Sequence, residues 1–139
     1  MYGQWYYKFV LRKAVRDLTP QLMEKDSMKY YLFAQDNNQF FESLKKKLLE
    51  EAQEVNDAKN YEELKEELAD LYIVILEILK RSNINLKDIE ETMNKKNQLR
   101  GGFKENLFLD YVLIPEYKTN LVKAHQNSSN VLSSGIIYF

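Results

Sequence analysis

A chain of 139 residues fits one domain comfortably. Its 20 basic and 21 acidic residues leave a net charge of -1, which excludes a uniformly basic nucleic-acid coat and an acidic tail protein. The lack of cysteine excludes a disulfide framework, a thiolate zinc site and a cysteine nucleophile, and with a single histidine, His125, any metal would be held by oxygen ligands.

The leader Met1–Leu11 is aromatic but has no basic stretch, apolar run and small-residue cleavage site of the secretory kind. The longest apolar runs, such as Leu71–Leu76, fall far short of the roughly 20 residues of a membrane span. A cytoplasmic protein with no membrane and no nucleic-acid partner is therefore expected. Only 4 glycines and 2 prolines favour long helices over a turn-rich β architecture.

Thr19-Pro20 reads as an N-cap followed by proline at the first helical position, giving a short helix to about Lys25. Tyr30–Ala34 reads as a short strand or an extended arm. A long helix is predicted after Asp36, capped by Asp36 and Gln39, with an apolar stripe of Phe41, Leu44, Leu48, Ala52 and Val55 and a stop near Ala58–Asn60. The next begins at Asn60, with Glu63 three residues on, and its stripe runs Leu64, Leu68, Leu71, Ile75, Ile78. Beyond Asp70 apolar residues cover nearly every side of it, which places this helix at the centre of a bundle or in an oligomer interface. A third long helix opens at Asn85 and stops at Gly101, with Leu86, Ile89, Met93 and Leu99 facing inward. Past Leu109 the pattern fades: Pro115 marks a turn or an extended break, and Gln126–Asn130 reads as loop. The expected organisation is a helical catalytic domain over residues 1–109 and a C-terminal extension over 110–139.

Between Glu42 and Glu105 lie 12 basic and 15 acidic residues, and the acids form two clusters. Glu50, Glu51 and Glu54 lie on the first long helix; Glu67 and Asp70, with Glu66, lie on the second. Residues three apart share a helical face, so Glu51 pairs with Glu54 and Glu67 with Asp70, each pair at the border of its apolar stripe. In an antiparallel hairpin the four carboxylates would converge, and their mutual repulsion calls for a divalent cation with a preference for oxygen, Mg²⁺ or Mn²⁺. The competing reading is a solvated acidic face on a non-catalytic helical interaction module. Lys96 and Arg100, one turn apart before the Gly101-Gly102 turn, are read either as cations compensating a helix C-terminus or as a polyphosphate contact. Arg16 and Asp17 are read as an ion-pairing and capping element or as a substrate contact. Trp5, Tyr6, Tyr7, Tyr30 and Phe33 are candidates to stack on a base, although core packing is the commoner role of aromatics.

In their order, these pieces resemble the MazG-like all-α nucleoside triphosphate pyrophosphohydrolases, and most closely the branch related to phosphoribosyl-ATP pyrophosphohydrolase. The resemblance rests on EExxE (Glu50, Glu51, Glu54), ExxD (Glu67, Asp70), the stretch Lys13–Pro20 and the late Arg100–Phe103, and covers Lys13–Leu109. Ala14 and Thr19 stand where the family has bulkier apolar residues. The resemblance implies an all-α antiparallel helix bundle completed by oligomerisation, as a homodimer or homotetramer. It implies a nucleotide substrate cleaved between its α and β phosphates to a monophosphate and pyrophosphate; phosphoribosyl-ATP itself is the alternative substrate. It further implies that Glu51, Glu54, Glu67 and Asp70 hold Mg²⁺ (or Mn²⁺), that Glu50 and Glu51 act catalytically, and that Lys95, Lys96, Arg100 and Arg16 bind substrate.

Overall fold

The computed structural model describes residues 3–138; Met1 and Tyr2 of the aromatic leader and Phe139 of the extension lie outside it. Five helices occur among the described residues, and no strand: α1 (Thr19–Lys25), α2 (Asn37–Asp57), α3 (Tyr61–Arg81), α4 (Leu86–Arg100) and α5 (Thr119–Gln126). The fold is all-α, as expected. The chain divides into two units, Met1–Leu99 and Arg100–Phe139.

In the first unit, α2 and α3 form a hairpin, the principal helix–helix packing. Its ends follow from the capping residues. Asp36 Oδ1 accepts from the Gln39 amide at 2.8 Å, and Asn60 Oδ1 accepts from the Glu63 amide at 2.9 Å. Glu63 reaches back to accept from the Lys59 amide at 2.8 Å, so the turn between the two helices is closed from both sides. At the far end the Arg81 guanidinium lies 4.7 Å over the Phe40 ring, tying the end of α3 to the start of α2 as an antiparallel pair requires. Replacing Asn60 by alanine leaves a first-turn amide without its partner. An expected loss of about 1 kcal/mol in urea unfolding follows, with an unchanged m-value.

The seam of the hairpin runs in a different register from the stripes read from sequence. Among the covered positions, Leu44, Leu48, Glu51, Val55 and Ala58 of α2 and Leu64, Glu67, Leu71, Val74 and Ile78 of α3 each follow one face. Alternating steps of three and four keep one face in register, as in coiled coils and helix bundles. Ala52 and Leu68, assigned to the stripes, are exposed instead: in α2 the two successive steps of four from Leu44 to Ala52 drift around the helix, and in α3 the seam passes through Glu67, one residue before Leu68. Each helix thus gives one seam position to a glutamate.

Other expectations are corrected. Leu18, not Thr19, holds the cap position of α1 and makes no side-chain cap bond, while Pro20 does sit in the first turn. Tyr30–Ala34 forms no strand; the Tyr30 hydroxyl donates to Glu24 Oε1 at 2.7 Å. Trp5, Tyr6, Tyr7, Tyr30 and Phe33 are exposed and build no core. α4 is capped by Asn85 and ends before Gly101, whose φ of +77° is the left-handed conformation predicted for it. No residue of α4 is buried: Leu86 and Met93 are exposed, Ile89 is half-covered, and Leu99 is 81% exposed, so its apolar residues do not face inward.

The second unit holds α5, a helix that the polar composition of the tail concealed. Only Val122 on it is even half-covered, and Gln126, read as the start of a loop, is its last residue. Pro115 opens a turn, as predicted, and His125 on α5 is exposed, with its Nδ1 2.8 Å from the Leu121 carbonyl.

Candidate functional site

The two seam glutamates face each other across the hairpin. Glu51 is only 5% exposed, the one buried charged residue among those described. Glu67 is half-buried, and Glu54, one turn beyond Glu51, is exposed. One carboxylate oxygen from each of these three lies within 4.8 Å of the others. Such crowding of like charges at partly desolvated positions is unfavourable without a counter-charge.

Lys47 supplies part of it, with Nζ 3.0 Å from Glu51 Oε1. Glu51 Oε2 is buried and has no hydrogen-bond partner. An orphaned carboxylate oxygen in the seam, beside two further carboxylates, is the arrangement that a hard divalent cation satisfies, so the donor set fits a metal ion. The Glu54 carboxyl responds to the same crowding. The hydrogen bond to Glu51 that Glu54 can make only when protonated, partial desolvation, and repulsion from Glu51 and Glu67 push it up to about 7.

The flanking carboxylates are held by the segment ahead of α1. Lys13 Nζ lies 2.6 Å from Glu50 Oε1, and this hydrogen bond, with help from Lys47 at 3.8 Å, lowers the Glu50 pKa. Arg16 Nη1 lies 3.3 Å from Asp70 Oδ1. Lys13 therefore engages α2 and Arg16 engages α3. Between them Ala14 is itself buried.

The structure brings together three of the four expected ligands. Asp70, one turn on from Glu67, is outside the cluster and faces Arg16 instead. Arg16, expected at the substrate, makes an ion pair here, with Asp70 rather than with its neighbour Asp17. Lys95 and Lys96 are exposed on α4; Arg100 is exposed and belongs to the second unit. Two residues of the site were missed by sequence reasoning, Lys13 and Lys47. Lys47 had a legible signal, since it stands four residues before Glu51 on the same helical face. Lys13 had none, because its contact with Glu50 spans 37 residues.

Residues 16–97 match the family model of phosphoribosyl-ATP pyrophosphohydrolase. No curated protein and no solved structure matches the chain.

Proposed function

In a chain that belongs to the phosphoribosyl-ATP pyrophosphohydrolase family, within the MazG-like all-α superfamily, we propose that the α2–α3 carboxylates hold Mg²⁺ for hydrolysis of a nucleotide. The chain is a pyrophosphohydrolase of the MazG-like type, a hydrolase acting on an acid anhydride. The finer reading is cleavage between the α and β phosphates of a nucleoside triphosphate or related nucleotide, phosphoribosyl-ATP included, to a monophosphate and pyrophosphate. The observation that carries it is Glu51, buried in the seam with Oε2 unpartnered beside Glu54 and Glu67.

Glu51, Glu54 and Glu67 would hold Mg²⁺, or Mn²⁺, and Asp70 would join them once it parts from Arg16. The cation, when bound, neutralises charge on the phosphate oxygens and acidifies the attacking water. Glu50, kept ionised by Lys13, accepts a hydrogen bond from that water and orients it; its lowered pKa suits it better to positioning than to keeping a proton. Glu51, fixed by Lys47, sets the direction of the cluster. Arg16, Lys95 and Lys96 would meet phosphate oxygens. The catalytic domain over residues 1–109, with 110–139 as an extension, contains the whole of the family match. No helix among the described residues is long and apolar enough to cross a membrane, and the proposed location is the cytoplasm. Incubation with canonical and modified nucleoside triphosphates and with phosphoribosyl-ATP, in Mg²⁺, tests the reading: pyrophosphate appears with at least one of them, and its absence with all would refute the proposal.

Two or four copies complete the proposed bundle. Besides the seam that meets α2, α3 carries a second apolar row, Tyr61, Leu68, Tyr72, Ile75 and Leu79, with Lys65 in the gap. Leu68 is 47% and Tyr72 52% exposed. The row is symmetric about position 70, and α3 is acidic in its first turn (Glu62, Glu63) and basic in its last (Lys80, Arg81). Both properties suit two α3 helices packed antiparallel about a two-fold axis, with Leu68 of one copy against Tyr72 of the other. In a chain without native cysteine, a mixture of Tyr61→Cys and Leu79→Cys proteins is expected to form disulfide-linked dimers, while neither alone does. A monomeric mass at tens of micromolar, or no cross-link in the mixture, contradicts this arrangement.

A further inference from the structure

Beside the carboxylates, on the Glu50 edge of α2, lies a pocket of about 270 Å³ lined by Arg12, Lys13, Gln35, Ser43, Lys46, Lys47 and Glu50. Four cations face one acid there. Glu50 is already engaged by Lys13 at 2.6 Å and Lys47 at 3.8 Å, so its charge is spent within the lining. Arg12 and Lys46 have no carboxylate within 4.0 Å among the described residues, which leaves two cations uncompensated in one concavity. Gln35 and Ser43 add neutral hydrogen-bonding groups, already joined by a 2.8 Å bond from the Ser43 hydroxyl to Gln35 Oε1. Arg12 also has φ of +48°, the left-handed region that a residue with a side chain seldom adopts, and such backbone tends to persist where it presents a functional group.

We propose that this pocket is the subsite for the diphosphate part of the substrate, which leaves as pyrophosphate. The inference rests on the pyrophosphohydrolase reading above and specifies where the leaving group sits. Lys47 supports the assignment because it belongs to both sites: its ammonium bonds Glu51 in the carboxylate cluster and lines the pocket. A polyphosphate with its outer phosphates among Arg12, Lys13, Lys46 and Lys47 therefore reaches the carboxylates with its inner ones. The volume is below the roughly 300–1,000 Å³ of pockets that enclose a whole small-molecule ligand, so it suits a phosphate chain and leaves base and sugar outside. Arginine matches phosphate oxygens through its fork of donors, and lysine contributes point charge.

The test uses the full chain, freed of metal with a chelator, and inorganic pyrophosphate as the probe, so it does not depend on turnover. Pyrophosphate is expected to bind, and Arg12→Gln and Lys46→Gln are each expected to weaken it about tenfold, whereas Lys87→Gln, exposed on α4, leaves it unchanged. In turnover the same two variants raise KM for the nucleotide and relieve inhibition by pyrophosphate, with kcat and inhibition by the nucleoside monophosphate little altered. Undiminished pyrophosphate binding in both variants overturns the proposal, as does orthophosphate binding equal to that of pyrophosphate, which marks a general anion site. Absence of nucleotide hydrolysis alongside Arg12-dependent pyrophosphate binding would refute the parent reading instead.

Discussion

Glu51→Gln lowers nucleotide hydrolysis by at least about a hundredfold, because residues that merely support metal ligands are already worth roughly 10–100-fold and Glu51 is proposed as a ligand itself. Glutamine keeps the shape of the side chain and can still accept from Lys47, so the seam stays packed. What disappears is the charge of a 5%-exposed carboxylate whose Oε2 has no partner. Without metal, that loss relieves repulsion against Glu54 and Glu67, so the variant should unfold at a temperature no lower than the parent. Activity and stability then move apart, which a simple folding defect cannot do. Glu66→Gln, on the exposed side of α3, is the control and should stay within about twofold of the parent. Equal losses in the two variants would argue against a special role for Glu51.

Stability should depend on pH and on divalent cations through Glu54. Its pKa is raised from 4.5 to about 7, so the metal-free folded protein holds a proton over that interval which the unfolded chain has released. Stability from this group is therefore fully present below about 4.5 and is lost as pH rises through about 7. Glu50 acts in the opposite sense but elsewhere: its pKa is lowered by Lys13, so its contribution is present above the ordinary carboxylate range and fades only in acid. Thermal melts of chelator-treated protein should fall between pH 5 and pH 8, and Glu54→Gln should flatten that fall. Mg²⁺ or Mn²⁺ at about a hundred times its dissociation constant should add about 2.7 kcal/mol at pH 8, a shift of several degrees. A melting temperature indifferent to both pH and cation would contradict this.

Much of this was legible because local chemistry specifies it. The Asp36, Asn60 and Asn85 caps each act on an amide three residues away, so the starts of α2, α3 and α4 followed from sequence alone. The short turn between α2 and α3 made the hairpin antiparallel, and the spacing of Glu51, Glu54 and Glu67 then brought the three carboxylates together. The family assignment was legible for a related reason, since the ordered acidic pairs and the Lys13–Pro20 stretch are local motifs, and the match spans residues 16–97.

What sequence reasoning lost depends on contacts between distant residues. Arg16 reaches Asp70 across 54 positions and Lys13 reaches Glu50 across 37, so the diversion of Asp70 had no local signature. Apolar character alone points Leu68 and Ala52 inward, whereas the seam runs through Glu51 and Glu67. The same preference for apolar residues turned Leu99 and Met93 inward on a helix that has no packed face. α5 was missed because its few apolar residues give no sustained period.

The central claim is that the α2–α3 carboxylates bind a divalent cation, and calorimetric titration of Mg²⁺ and Mn²⁺ into metal-free protein without nucleotide tests it most directly. Near pH 7, in two buffers of different ionisation enthalpy, the account predicts saturable binding with release of a proton as Glu54 becomes a ligand, and loss of both in Glu51→Gln. No binding, or binding that Glu51→Gln leaves intact, would contradict it and favour a helical interaction module whose acids form a solvated face.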